Sequence, residues 1–312
     1  MELLNDKDAA EPKTDPGKGR SGFASATWKL KLAAVVVPSS LFLAMLWWLG
    51  NHITLEGESL TRIVHIKAYR SLPGWFGKPA IGIYEADPVI GWRNKPSSEG
   101  RHYVPYSFDV RYHIDKEGNH ITQASYDLPK ILFIGCSFTF GHGVEDDSNF
   151  VAILQSKLPG FKLVNAAVNG YGTGQMYLAL LQALKKYNDI GIVVYPFFNQ
   201  HAERNYLRKS WLEKLNLGRQ NVFFDLENGK LAYKGLSDLK RDGITDTLIL
   251  KKKEAEISYA LVKAMADSCS ARGITFMLVH LPEWKDGDLD AQIKPIVDAA
   301  NYLDLRQTID ID

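Results

Sequence analysis

The stretch Ile131-Leu-Phe-Ile-Gly-Cys-Ser-Phe-Thr-Phe-Gly141 decides the fold that we expect for this chain. Its first four residues are apolar, as in a short buried β-strand, and Gly135 ends the run. Ser137 lies two residues after Gly135, just past the end of the strand, where open parallel sheets commonly bind their ligands. Because serine after a strand is also a common helix N-cap, the position alone leaves both a functional and a structural interpretation open.

The chain after Lys130 continues with short apolar runs that alternate with helical patterns. Further strands are expected at 162–165, 190–198, 274–280 and 302–305, and helices at 177–187, 257–265 and 291–300. A polar excursion between 207 and 248 contains a predicted hairpin that turns at Asn228-Gly229. The alternation favours a parallel sheet with helices on both faces. We therefore predict an α/β fold, a three-layer α/β/α sandwich with a parallel, flavodoxin-like sheet over 130–312.

The residues before this domain form two segments that differ in composition and in their hydrophobic pattern. Residues 51–129 combine aromatic clusters, several prolines and short alternating stretches, which predicts a β-rich or loop-rich preface. Residues 1–27 are rich in Asp, Lys, Gly, Pro and Ser and have no apolar periodicity, as is typical of a disordered tail.

An apolar, uncharged run extends from Leu32 to Gly50, long enough for a membrane-spanning helix. A cleaved signal peptide would have a shorter leader and a cleavage motif, and a buried core helix would have a polar face. The basic residues near the run all precede it: Lys18, Arg20, Lys29 and Lys31. We predict one transmembrane signal-anchor over 28–50, with a cytoplasmic N-terminus and an extracytoplasmic, periplasmic domain.

Charge and cysteine content exclude several classes of function. The 37 basic and 36 acidic residues are mixed along the chain and leave a net charge of +1, so no nucleic-acid partner is expected. The two cysteines, Cys136 and Cys269, lie far apart in sequence and offer neither a disulfide framework nor a zinc-binding spacing. We predict no metal and no cofactor.

Three segments resemble, in order, the first three conserved blocks of the SGNH (GDSL-type) serine hydrolases. The segment around Ser137, with Gly141 and Val144, is similar to the block that carries the nucleophile. Val164-Asn-Ala-Ala-Val-Asn-Gly-Tyr-Gly-Thr173 resembles the second block, and Val193-Val-Tyr-Pro-Phe-Phe-Asn199 the third. The resemblance covers about residues 85 to 305, including the preface segment Asp87-Pro-Val-Ile-Gly-Trp-Arg93.

The resemblance implies a role for one residue of each block. Ser137 would be the nucleophile, and its own N–H, the Gly170 N–H and the Asn199 side-chain amide would form the oxyanion hole. Such donors stabilise the negative charge of a tetrahedral acyl intermediate. Gly170 is also compatible with an ordinary turn, and the spacing Gly170-x-Gly-x-Gly174 does not fit a dinucleotide-binding loop.

Two departures from the family pattern concern the chemistry. Cys136 stands where the family usually has aspartate. It could be a small buried residue beside Ser137 or an alternative nucleophile. The family's Asp-x-x-His block, which supplies the general base, does not occur after Ser137. Either the sequence is truncated or catalysis has been lost. His280, at the end of an expected strand, is a possible substitute base, and we expect His142 and His201 to line the cleft together with Cys136.

The expected function is that of a serine esterase or acyl-transfer enzyme that forms an acyl-serine. Its substrate would be an acylated small molecule or an O-acylated cell-envelope or exported polysaccharide. The alternatives are a catalytically inactive SGNH-like domain that binds carbohydrate or an envelope partner, and a structural membrane protein.

Overall fold

The computed structural model of the chain describes residues 21–55, 58–59, 64, 82–104, 107–205, 221–237, 247–281 and 289–306. The chain divides into two units, Met1–Lys67 and Ala68–Asp312. The second unit contains most of the predicted preface together with the predicted α/β domain. Residues 1–20 of the predicted tail lie outside the described residues.

The first unit contains one long helix and a short hairpin. Helix α1 covers Ser21–His52, so it begins within the stretch that was predicted to be a disordered tail. Strands β1 (Thr54–Leu55) and β2 (Glu58–Ser59) follow as an antiparallel pair. Within the described stretches, no helix is both long and apolar enough to cross a membrane, so the predicted span at Leu32 to Gly50 is not supported.

The second unit begins with two antiparallel hairpins, in the region predicted to be β-rich. The first pairs β3 (Tyr84–Asp87) with β4 (Gly91–Asn94), and the second pairs β5 (Ser98–Val104) with β6 (Phe108–Ile114). The Asp87 carboxylate accepts hydrogen bonds from the N–H groups of Val89 and Ile90, both at 2.8 Å, which closes the first turn. Asp at the start of a turn commonly makes such bonds.

The centre of the unit is a five-stranded parallel sheet with the strand order β13-β12-β9-β7-β8. Its strands are β7 (Lys130–Phe133), β8 (Lys162–Asn165), β9 (Ile190–Phe197), β12 (Thr275–His280) and β13 (Tyr302–Asp304). Numbered along the chain, this is the flavodoxin-like order 2-1-3-4-5. The predicted parallel sheet is confirmed.

The intervening segments contain helices and one more hairpin. The helices are α2 (Ser137–Phe140), α3 (Phe150–Lys157), α4 (Thr173–Lys186), α5 (Gln200–Glu203), α6 (Thr247–Ser270) and α7 (Leu289–Ile293). The hairpin pairs β10 (Asn221–Glu227) with β11 (Lys230–Ser237) and turns at Asn228-Gly229, as predicted. The continuous helix expected over 291–300 is wrong. After α7 the chain forms separate 3-10 turns at Lys294–Ile296 and Ala299–Asn301, because Pro295 lacks the N–H that an α-helix needs.

Alternating side chains of the sheet pack on helices on opposite faces. Ile131 and Phe133 of β7 form a cluster with Val151 of α3. Leu132 belongs to the larger cluster on the other face, which includes Leu180 of α4 and further residues of α6. Because successive strand residues point to opposite faces, the all-apolar sequence of β7 requires cover on both sides. The result is the three-layer arrangement.

Candidate active site

The three residues assigned to the oxyanion hole each follow a neighbouring strand of the sheet. Ser137 comes after β7, Gly170 after β8 and Asn199 after β9, and β7 lies between the other two strands. Because the strands are parallel, their carboxyl ends meet at one edge of the sheet. Strand β8 lies on one side of β7, and the later strands lie on the other side. Open α/β sheets bind ligands at such a switch point in the strand order.

The turn that carries Ser137 is fixed to both neighbouring strands. Ile134 N–H donates to the Val194 carbonyl at 3.1 Å, and Val168 N–H donates to the Gly135 carbonyl at 3.2 Å. Ser137 is the first residue of α2 and is partly exposed. The N–H groups of a helix's first residues have no acceptor within the helix, so the Ser137 N–H is suited to receive an anion.

An aromatic contact joins the ends of β7 and β9. The rings of Phe138 and Phe198, which directly follow Ser137 and directly precede Asn199, lie 5.1 Å apart in an edge-to-face arrangement. Phe198 is buried, whereas Phe138 is 48% exposed. Ser137 and Asn199 are therefore each one residue away from a direct contact between their two loops.

The loop after β8 presents the backbone of Gly170. Its φ of 84° lies in the left-handed region, which glycine adopts without strain. Gly170 is partly exposed, and its N–H donates to no acceptor among the described residues. An N–H group in this state can donate to a developing oxyanion.

Arg204, beyond β9, ties this loop to the chain that follows Asn199. Its guanidinium donates to the Tyr171 carbonyl at 2.9 Å. A side chain at Gly172 would come within 2.7 Å of the Arg204 Cβ, so only glycine permits this close approach. No local sequence pattern connects Arg204 with Tyr171, so this contact could not be predicted from the sequence.

His142 lies on the turn that follows Ser137 and contacts the loop after β8. The Asn169 side-chain amide donates to His142 Nδ1 at 3.2 Å. The main-chain N–H of His142 donates to the main-chain carbonyl of Ser137 at 2.9 Å. Its ring also packs on His102, with the centroids 4.7 Å apart. Burial and the neighbouring His102 lower the pKa of His142 to about 4, so its imidazole is neutral at neutral pH.

Cys136 and His201 are both buried. For Cys136 this agrees with a small buried neighbour of the turn, whereas His201 was expected to line the cleft. The Cys136 side chain belongs to the main apolar cluster. His201 stacks on Tyr195, and its Nδ1 lies 3.0 Å from the Tyr195 hydroxyl. Burial and the positive charge of Arg204 hold the pKa of His201 well below its usual value. The apolar residues around both side chains displaced them from the cleft.

His280 lies at the same edge of the sheet as Ser137 but not beside it. Strand β9 separates its strand, β12, from β7, which corresponds to roughly 10 Å between strand axes. Its Nδ1 is 3.1 Å from the Tyr302 hydroxyl. Among the described residues, the polar contact of the Ser137 hydroxyl is the Cys136 sulfur at 3.9 Å, and no described histidine is within hydrogen-bond distance.

Comparisons with known proteins find similarity to solved esterase structures. No family model matches the sequence, and the comparison with curated proteins finds no match. AlinE4, an SGNH-hydrolase family esterase, is 11% identical over 61% of this chain and 86% of its own, with a TM-score of 0.37. The psychrotrophic esterase EstA from Pseudoalteromonas sp. is 13% identical over 56% and 76%, with a TM-score of 0.36. A catalytic mutant of Axe2, an acetylxylan esterase from Geobacillus stearothermophilus, is 14% identical over 59% and 77%, with a TM-score of 0.32. Identities and TM-scores this low carry no argument about function, so any proposal about function depends on this chain's own residues.

Proposed function

We propose that this chain is a serine esterase or acyl-transfer enzyme that uses Ser137 as its nucleophile. The supporting observation is the position of Ser137 after the central strand β7, flanked by Gly170 after β8 and Asn199 after β9. The Ser137 hydroxyl would attack an ester carbonyl and lose its proton to a base. The alcohol would leave with a proton, and water or another hydroxyl would then take the acyl group from the serine.

The donors of the proposed oxyanion hole are the N–H groups of Ser137 and Gly170 and the Asn199 amide. Loss of one donor of this kind lowers the rate by roughly 100 to 1000-fold in a well-studied serine hydrolase. The proposed substrates are O-acyl esters, including acylated cell-envelope or exported polysaccharide. The polysaccharide is supported only by the predicted location and the family resemblance.

The experiment is hydrolysis of p-nitrophenyl acetate by the full chain, with the acetylated peptide identified by mass spectrometry. We expect an acetyl group on Ser137 and slow turnover, because a serine hydroxyl without an adjacent base is a poor nucleophile. Ser137→Ala should abolish both signals, and Cys136→Ser is the matched control that should retain them. Acetylation that survives Ser137→Ala and is lost in Cys136→Ser would assign the nucleophile to Cys136 instead.

An inactive domain that binds carbohydrate is the second candidate. It is favoured by one observation, that no described histidine contacts the Ser137 hydroxyl. A neutral serine hydroxyl without a base is a poor nucleophile. Binding of acetylated oligosaccharide that is equal in wild type and Ser137→Ala, without any acetyl-enzyme, would support this candidate over the esterase.

We propose further that the catalytic unit is extracytoplasmic and held at a membrane by the run from Leu32 to Gly50. The basic residues on one side of the run support this orientation, and so does the exposure of apolar side chains of α1 such as Leu41 and Trp47. In spheroplasts, whose outer membrane has been opened, externally added protease should digest the catalytic unit and spare the N-terminal tail. Digestion of the tail alone would contradict the orientation.

A further inference from the structure

The inference concerns Trp92, a buried residue of the β3–β4 hairpin that contacts the loop of Gly170. The Trp92 indole N–H donates to the main-chain carbonyl of Asn169 at 3.1 Å. Trp92 is almost fully buried, and 77 positions in sequence separate the two residues. A hairpin outside the parallel sheet therefore binds the peptide group directly before Gly170.

The geometry of that peptide group links Trp92 to the oxyanion donor. The carbonyl of Asn169 and the N–H of Gly170 belong to the same planar peptide unit, and in a trans peptide they point in opposite directions. A hydrogen bond that fixes the carbonyl direction therefore also fixes the N–H direction. Since Gly170 is conformationally permissive, its N–H needs such an external restraint.

Two hydroxyl groups hold the partners of this hydrogen bond. The Tyr171 hydroxyl donates to the Trp92 carbonyl at 2.6 Å, and its ring meets the Trp92 ring edge at 5.7 Å between centroids. The Asn169 side chain donates to the Tyr84 hydroxyl at 2.7 Å. Tyr84 and Trp92 belong to paired strands of one hairpin, so the loop is restrained through both its main chain and a side chain.

We propose that Trp92 is a positioning residue, which aims the Gly170 N–H at the oxyanion through its hydrogen bond to the Asn169 carbonyl. The inference rests on the proposed function for its catalytic consequence. The restraint itself is a property of the folded chain and can be measured without any substrate. Trp92 does not touch the reacting atoms.

The first test uses NMR on the full chain labelled with 15N-glycine. We expect Trp92→Phe, which removes the indole N–H and keeps an aromatic ring, to shift and broaden the Gly170 amide signal. Tyr171→Phe removes only the hydrogen bond from the Tyr171 hydroxyl to the Trp92 carbonyl. It should therefore shift the Gly170 amide signal in the same way but less. The control is Tyr187→Phe, which removes the hydroxyl partner of Asn119 elsewhere in the unit. An unchanged Gly170 signal in both variants would overturn the proposal.

The second test measures the rate at which a fluorophosphonate modifies Ser137. We expect Trp92→Phe to lower the rate roughly tenfold, less than the roughly 100 to 1000-fold that follows loss of an oxyanion donor. In a Gly170→Ala background the same substitution should have little further effect, because both act on one N–H group. Equal effects in both backgrounds would show a general structural role and overturn the positioning role. If the wild type is not modified at Ser137, the proposed function fails, and the NMR experiment still decides whether Trp92 restrains Gly170.

Discussion

His102 is buried, and the His142 ring that packs on it is partly buried, and this burial determines what the two histidines can do. Desolvation lowers the pKa of His102 to about 4, and desolvation together with His102 lowers that of His142 to about 4. The His102 Nδ1 has no hydrogen-bond partner among the described residues. A group with so low a pKa is a weak base at neutral pH. His142 is therefore better suited to hold the turn after Ser137 than to accept the serine proton.

The same pKa values predict how stability depends on pH. An unfolded histidine titrates near pH 6.5, whereas folded His102 and His142 titrate near 4. Between these values the unfolded state binds more protons, so the free energy of unfolding falls as the pH falls from about 6.5 towards 4. We expect His102→Phe to reduce this dependence, measured by urea unfolding at pH 7.5, 6 and 5.

The control for this prediction is Ile153→Ala, since Ile153 is exposed and carries no titratable group. It should leave the slope of stability against pH unchanged. A slope in His102→Phe equal to that of the wild type would mean that folding does not lower the pKa of His102.

At the scale of elements, the sequence predicted the strands that had strong local signals. The strand at 162–165 has the expected bounds, and the strand leading to Ser137 is displaced by one residue, to Lys130–Phe133. Apolar runs bounded by glycine or polar residues specify such strands without help from tertiary contacts. The helix expected at 291–300 does not form as one element, because Pro295 interrupts it although the apolar pattern continues.

Parts of the candidate site depend on contacts between distant elements and could not be read from local sequence. A residue after a strand end can be placed at the sheet edge, as for Ser137, Gly170 and Asn199. The burial of His201 depends on Tyr195 and Phe198, and its exposure could not be predicted from position alone. The bond from Trp92 to Asn169 depends on how the β3–β4 hairpin packs, for which the sequence carries no periodic signal.

At the scale of the unit Ala68–Asp312, the preface and the sheet share a core. Val110, Tyr112 and Ile114 of β6 form one buried cluster with Phe140 of α2 and Ala167 of the loop after β8. The His120 N–H also donates to the Asn165 carbonyl at 3.0 Å, which joins the preface to the end of β8. The preface therefore packs against α2, the helix that begins at Ser137, and against the loop after β8.

This shared core predicts that β6 and β7 unfold together. Ile114→Ala removes a buried side chain and should lower the free energy of unfolding by about 2–5 kcal/mol. Hydrogen exchange under increasing denaturant, followed on the amides of β6 and of β7, should show the same loss for both strands, since one cooperative unit opens as a whole. Tyr103→Ala, at a position 57% exposed on β5, is the control and should change neither strand by more than about 0.5 kcal/mol. A loss confined to β6, with β7 unchanged, would instead show that the β5–β6 hairpin opens separately from the sheet.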